Sequence, residues 1–423
     1  MVQAPVSSTG RRALIIGGSF GGLFAANLLL RAGWEVDVYE RVDEALADRG
    51  AGIVTHEELF DAIRRAGATI DETIGCETLS RVTFDTDGRV IAELPMRQIL
   101  TAWGRLYRLL KDVFPEGNYR FNKSLERVDQ NDGGVTAHFS DGTRATGDLL
   151  IGADGIRSTV RAQFLPEAKP VYAGYVAWRG LADERSLSAG TRRALEDRMG
   201  FGLPAGEQML TYLVAGRNNS TRPGERRYNF VWYRPADEMT RLRELFTDAA
   251  GRRYQQNIPP DHIKPEVIAE MYSAAERLLA PQFVEVLRAT VEPFFQPIYD
   301  LESPRMVFDR VAILGDAAFV ARPHVGLGVT KAAGDAVALV DALAQNDGDL
   351  DAALRHYGAS RVSFGRSIVA HARDLGAGIG DTVVAGLRPE LVEHMRRPEI
   401  VMREIAVPDW ANRTFAKGGL RVA

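Results

Sequence analysis

The chain has 423 residues, 45% apolar and 26% charged, an ordinary globular balance and enough length for two domains or one elaborated domain. Its formal charge of −4 combines 52 basic and 56 acidic residues without a basic block or stripe, which argues against nucleic acid or an anionic membrane as partner and for a small molecule. The single cysteine, Cys76, leaves no disulfide framework or cysteine-based metal site within the chain and reads as a small buried hydrophobe.

Near the start, Arg11 and Arg12 precede an apolar run from Ala13 to Ile16 that glycine ends after four residues, short of the ~7–15 of a secretion signal. No run approaches the ~18 apolar residues of a membrane span, so the expectation is a cytoplasmic protein with no membrane span. Arg12 to Ile16 predicts a strand buried on both faces, as in a parallel sheet. It runs into Gly17-Gly18-Ser19-Phe20-Gly21-Gly22, a helix-spaced LFAANLLLRAG ending at Gly33, and WEVDVYE ending in Glu40. Gly17, Ser19 and Gly22 occupy the GxGxxG register, with serine in the middle. Strand, glycine turn, helix, strand and acid together predict dinucleotide binding. Glycines let backbone approach a pyrophosphate at the helix N-terminus, and the acid accepts from a ribose. An acid at position 40 disfavours a ribose 2′-phosphate, so NADP is not expected in this crevice.

Further on, Arg81 to Glu93 alternates about Asp87-Gly88, a hairpin signal. LERVDQ, GVTAHFSDGTRA and DLLIGADG read as a meander of strands with a turn at Asp141-Gly142. Strands dominate from Val171 to about Trp232, which predicts a second layer around one antiparallel sheet, and residues 236–290 read as helical. An apolar strand RVAIL then meets Gly315-Asp316, a Pro323-His324 pair and two glycines before helices resume through LDAALRHYGASRVSFGRSIVAHARDL. GAGIG at 376–380 follows a helix and reads as a linker. The tail from Thr382 contains ELVEHMRRPEIVMREI, a helix broken at Pro398 that belongs either on the body or on a second subunit.

Three separated motifs now stand in order. They are the first glycine turn, Ile151 to Arg161 with Asp154-Gly155 at a strand end and Arg157 and Arg161 beyond, and Gly315-Asp316-Ala-Ala. Together they resemble the single-component FAD-dependent aromatic hydroxylases of the para-hydroxybenzoate hydroxylase type. AGYVAWRG, GAGIV at 50–54 and GDAAFVARPH are most similar to the 2,6-dihydroxypyridine 3-hydroxylase branch. The resemblance covers roughly residues 11–375 and leaves the tail outside. It departs at Phe319, where histidine is frequent, at Thr330, where asparagine is common, and at Trp103, where an arginine is usual, so that Arg105 or Arg97 would have to replace it.

The resemblance implies an α/β fold: a Rossmann-like FAD-binding domain with an inserted β-sheet substrate domain and C-terminal helices. The FAD-binding domain would comprise 1–78, 98–170 and 291–345, the substrate domain a hairpin at 79–97 and 171–290, and the helical region 346–423. FAD would be held by Gly17, Gly18, Ser19, Gly21, Gly22, Glu40, Arg41, Gly52, Ile53, Val54, Arg105, Asp154, Asp316, Gly326, Leu327, Gly328, Val329 and Thr330. Asp316 would bond the ribityl chain. Gly326 and Gly328 would allow close approach, and the N–H groups of Val329 and Thr330 would face the flavin N1/C2-carbonyl edge. Pro323 would pin its loop so that a main-chain carbonyl holds the substrate.

The implied reaction is hydroxylation of a hydroxylated aromatic or N-heteroaromatic ring with NAD(P)H as transient reductant and O2, through a flavin hydroperoxide. Such a ring reacts once deprotonated, so a base is useful, and His56 and His324 sit beside the implicated loops. Tyr212, Trp232 and Tyr233 lie on the middle sheet, whose inner face would roof the substrate, and Tyr175, a further substrate-binding candidate, and Arg179 share a strand face if alternation is unbroken; Arg179 would attract an anionic substrate or steer NAD(P)H. His138, His262, His356, His371 and His394 read as solvated. No metal-ligand spacing appears. A halogenase or reductase of the same fold, or a non-catalytic flavin-binding redox sensor, is the alternative, and the halogenase WxWxIP signature is absent. Sequence does not choose the ring, the position attacked, NADH against NADPH, a following decarboxylation or ring opening, or monomer against homodimer.

Overall fold

The computed structural model describes residues 10–43, 52–131, 133–255, 257–380 and 389–407. The remainder of the tail, 381–388 and 408–423, lies outside the described residues. One layer is a six-stranded sheet in the order Val307–Phe308, Val311–Ile313, Leu149–Gly152, Arg12–Ile16, Glu35–Tyr39, Tyr119–Arg120. Its strands run parallel apart from the Val307–Phe308 edge. Helices Phe20–Arg31 and Gly328–Gln345 pack against each other over this layer. A three-stranded sheet, Leu125–Asn131, Gly134–Phe139 and Arg144–Gly147, covers another part, with Phe139 stacked on Tyr39 at 4.7 Å.

DLLIG does not continue that meander. Leu149–Gly152 pairs in parallel with Arg12–Ile16 and with Val311–Ile313, and all its residues are buried. A run apolar on both faces belongs inside a covered parallel sheet, whereas the meander strands alternate. Three segments far apart in the chain thus end side by side, and their C-terminal ends carry the glycine turn, Asp154 and Asp316.

The second layer is a nine-stranded, mainly antiparallel sheet. Its order is Phe319–Val320, Phe294–Glu302, Val171–Asp183, Arg227–Pro235, Gln208–Val214, Arg198–Gly202, Cys76–Phe84, Val90–Ala102, Gly52–Val54. The hairpin is longer than the expected 79–97 and carries Gly52–Val54 on its outer strand. Of residues 236–290, Arg241–Leu245, Pro265–Leu278 and Pro281–Arg288 are α-helical. The latter two cover one face of the sheet, in a core that includes Trp178, Trp232, Phe230 and Phe283. The opposite face, with Tyr175, Tyr212 and Tyr233, looks toward the first layer.

The helix Leu350–Leu375 leads to a buried Gly376–Gly378 turn, packed too closely against Tyr175 and Arg322 to be an exposed linker. Helices Pro389–His394 and Pro398–Glu404, interrupted before Pro398 as expected, pack on the body of their own chain. No described helix is long and apolar enough to cross a membrane, and no cluster of His, Cys, Asp or Glu among the described residues is placed to hold a metal.

Candidate active site

Gly17 turns the chain out of the first strand with φ +99°, where a Cβ would lie 2.4 Å from the Ala153 carbonyl oxygen. A Cβ on Gly22 would lie 1.8 Å from the Gly17 carbonyl oxygen, so only glycine lets the helix start this close to the strand. Gly21 likewise packs on Leu314. Ser19 stands at the N-cap of the Phe20–Arg31 helix without a side-chain capping bond. The first N–H groups of that helix, and its positive end, are left for a ligand. Glu40 accepts the Gly18 N–H at 2.8 Å and the Val42 N–H at 3.1 Å. It therefore clamps the glycine turn, and its remaining lone pairs are what it can offer a ribose.

Asp154 follows the neighbouring strand. Its Oδ2 accepts the Thr159 and Val160 N–H groups at 2.7 and 3.2 Å, while Oδ1 is buried with no hydrogen-bond partner among the described residues. Burial pushes this carboxyl up despite those bonds. Arg161 donates to Ala317 O at 3.0 Å and Ala168 O at 3.1 Å, tying the Asp154 loop to the Gly315–Ala317 turn. Asp335 holds that turn from the other side, accepting from Gly315 N at 2.9 Å and Arg361 Nε at 2.7 Å. Asp316 is left half exposed, facing the crevice, 3.7 Å from the buried Lys331 ammonium.

Beyond it, Pro323–Val325 forms a tight turn that ends at Gly326 with φ +69°. The helix from Gly328 begins at Leu327 without a side-chain cap, and a Cβ at Gly328 would meet open space. Asp154, Asp316, Pro323, His324, Gly326 and Gly328 face one crevice of about 940 Å3, which Arg41, Gly52, Ile53, Val54 and Val329 also line. The uncapped start of the Gly328 helix, an orphaned carboxylate oxygen and an open glycine along this crevice, with the glycine turn packed against Ala153 and Asp154, fit an extended dinucleotide with a flat ring at one end. The glycine turn and Asp154 would hold its phosphate and ribose parts, and Asp316 and the Gly328 helix its other end.

Across the crevice stands the inner face of the large sheet. Tyr175 and Arg179 do lie on one face, because the pairing with Arg227–Pro235 runs unbroken from Tyr175 to Asp183. Arg179, Tyr212 and Tyr233 line the crevice. Burial pushes the Tyr233 phenol up to about 12 and Tyr212 upward too, with Arg179 opposing both. Trp232 is not part of this wall. It neighbours Tyr233 on one strand and so points to the opposite face, into the core under the helices.

The two expected histidines differ. His56 Nδ1 lies 2.8 Å from Thr330 Oγ1 and Nε2 lies 3.1 Å from Val407 O. Since a carbonyl only accepts, Nε2–H donates to Val407 and Nδ1 accepts from Thr330, leaving no nitrogen for a substrate proton. His56 is thus a brace, not a base, and burial lowers its pKa to about 4. His324 Nε2 lies 2.9 Å from the Tyr175 hydroxyl, and its ring sits 4.2 Å from that of Tyr233. Its Nδ1 is buried with no partner among the described residues, and it lines the crevice. Burial, then the Arg322 charge, lower its pKa to about 3. Arg322 pairs with Asp300 at 2.9 Å, and Asp300 with Arg373 at 3.1 Å, a network beneath the Pro323 loop that sequence reasoning missed.

Neither candidate for the arginine absent at position 103 reaches the crevice. Arg105 bonds Thr73 Oγ1 at 2.8 Å and pairs with Asp71 at 3.3 Å, and Arg97 pairs with Glu77 on the exposed hairpin. His138 and His371, expected to be solvated, are partly buried.

A parallel sheet with a glycine turn, facing an antiparallel roof across one crevice, defines a flavin-dependent oxidoreductase of two layers. Residues 172–300 match the FAD binding domain-like family. The chain is 33% identical to 2,6-dihydroxypyridine 3-monooxygenase of Paenarthrobacter nicotinovorans over 363 residues, 86% of this chain and 90% of that protein. Among solved structures, 2,6-dihydroxypyridine-3-hydroxylase from Arthrobacter nicotinovorans superposes with a TM-score of 0.82 at 30% identity, covering 90% of this chain and 96% of that one. Klebsiella pneumoniae HpxO complexed with FAD and uric acid superposes with a TM-score of 0.75 at 26% identity, covering 94% and 95%. The chain belongs to the FAD-dependent aromatic hydroxylases and is a flavoprotein monooxygenase. When bound, FAD supplies the electron transfer from NAD(P)H and the activation of oxygen.

Proposed function

We propose that this protein hydroxylates a small, hydroxylated N-heteroaromatic ring of the hydroxypyridine class, using NAD(P)H and O2. The observation that carries this reading is the convergence of Arg179, Tyr233 and His324 on one crevice, beside the apolar side chains of Met199, Leu210 and Ile298. A flat ring fills the apolar space. The guanidinium attracts the negative charge that an ionised ring hydroxyl carries. The named substrate of the P. nicotinovorans relative is a ring of this kind.

His324 is a hydrogen-bonding post, not a store of protons. With a pKa of about 3 it does not hold a second proton at neutral pH. The Tyr175 hydroxyl, 2.9 Å from Nε2, fixes the ring beside the crevice. The Tyr233 ring packs 4.2 Å from that of His324, and both side chains are buried.

The test is direct. FAD-loaded protein is mixed with NADH or NADPH and a panel of hydroxypyridines and phenols while oxidation and oxygenated product are followed. Ring-stimulated oxidation with a hydroxylated product supports the reading. Bound flavin with neither stimulation nor product for any ring overturns it in favour of a flavin-binding sensor.

A further inference from the structure

The segment after the last long helix contributes to the crevice itself. Ile405 and Ala406 line it, beside Val54, Gly326 and Met199. Three of four hydrogen bonds from the Arg81 guanidinium organise this segment. Nη1 donates to Met402 O at 2.9 Å and to Ile405 O, while Nη2 donates to Ala406 O and to Gln98 Oε1, both at 2.7 Å. Arg81 is 1% exposed. A buried guanidinium needs acceptors, and the carbonyls ending the Pro398–Glu404 helix supply them to both Nη atoms and match its charge.

Ala406 is the point of closure. Its φ of +49° lies in the left-handed region, which is unfavourable for a residue with a Cβ. Such a residue persists when its surroundings over-determine it. Here its carbonyl accepts from Arg81 and from Gln98 Nε2 at 3.0 Å, and its N–H donates to His324 O at 2.8 Å. A Cβ on Gly326 would lie 2.9 Å from Ala406 Cα, so the segment abuts the loop that carries Pro323 and His324. One residue later, Val407 O receives His56, which also holds Thr330 at the start of the Gly328 helix. The segment is therefore bonded to the hairpin, to the Pro323 loop and, through His56, to the helix facing the flavin.

We infer that Ile405 and Ala406 form a size-selecting wall at the substrate end of the crevice, and that Arg81 is the positioning residue that sets it. This rests on the ring-binding function proposed above. The wall touches the loop carrying His324 and contributes side chains to the crevice, so its displacement changes which rings fit and how far water is kept from them, while the glycine turn and Asp154 stay in place.

The experiment uses FAD-loaded full-length protein. Ring binding is read from the perturbation of the flavin absorbance on titration with hydroxypyridine and its methyl- and ethyl-substituted forms, so that it does not depend on turnover. Ile405→Ala is expected to favour the larger rings over the parent by about tenfold, the range a methylene or two commands in an apolar pocket, and Ile405→Phe to favour the parent. Arg81→Met is expected to bind FAD as before, to raise KM for the ring more than it lowers kcat, and to send a larger share of NADH electrons to hydrogen peroxide. In that side reaction NADH, O2 and a proton yield NAD+ and H2O2. Arg81→Lys, which retains the charge but cannot fork to several carbonyls, is expected to fall between wild type and Arg81→Met. An unchanged size ranking in both Ile405 variants overturns the inference, whatever Arg81→Met does to folding. Wild-type protein that binds rings without turning them over counts against the proposed function and leaves the ranking to decide this inference. Wild-type protein that binds no ring overturns both.

Discussion

Along the flavin-facing wall the groups on offer are helix-start N–H groups and the carboxylates Asp154 and Asp316, whereas the sheet opposite offers the side chains Arg179, Tyr212 and Tyr233. The first wall depends on where backbone can go: Gly17, Gly21 and Gly22 each lack room for a Cβ. The second depends on which side chains project from strands whose pairing is indifferent to them. A backbone-made wall tolerates little change and serves one cofactor. A wall made of side chains can be rewritten residue by residue while its sheet stands, and so can serve different rings.

The sharpest way to break this contrast is Gly22→Ala. With a backbone oxygen 1.8 Å from the new Cβ, the helix start must shift, and the expected outcome is protein that stays colourless after reconstitution with FAD, read from the flavin absorbance. Next comes the back of the sheet. Trp232→Ala is expected to cost about 3–5 kcal/mol of stability by leaving a core cavity, measured by urea unfolding, with ring affinity of the remaining folded protein unchanged; a selective loss of ring binding would return Trp232 to the crevice.

Acid is expected to act on the histidines that join the two walls. His56 and His324 have folded pKa values of about 4 and about 3, below the ordinary 6.5. The unfolded chain therefore takes up protons that the folded one refuses, and stability falls as pH drops through 6.5 toward those values, by about 2 kcal/mol for each histidine at pH 5. Unfolding midpoints at pH 7.5 and pH 5 check this, and His324→Asn should remove its share of the difference. On the sheet wall, Arg179→Met is expected to weaken ring binding by about 10- to 150-fold, the equivalent of one charged hydrogen bond of about 1.5–3 kcal/mol, with bound flavin undiminished.

The same contrast governs how much was legible in the sequence. Gly17 to Gly22, Asp154-Gly155 and Gly315-Asp316 could be read because each records a local backbone demand, although the strand before Asp154 joins the parallel sheet and not the expected meander. The sheet wall was harder. The strand containing Trp232 and Tyr233 is buried on both sides, so no polar alternation marks which face is inward, and the two neighbours were assigned to one wall. His56 could be read beside the loops that the resemblance implicates but not as a brace, since its partner Val407 lies 351 positions away. Arg81 left no trace for the same reason. Its acceptors at 402–406 are more than three hundred residues downstream, and no short-range pattern encodes such a pairing. Asp335 and Arg361, which hold the Gly315 turn, look like ordinary charged helix positions until the fold brings them together.

The position of Arg81's partners also bears on how the protein is made. A chain still being translated, with residues 389–407 inside the ribosome, already carries Gly17, Asp154, Asp316 and Val329, while the end of its crevice that Ile405 and Ala406 will occupy stands open. The seat for the nucleotide is thus encoded ahead of the piece that narrows the ring's berth.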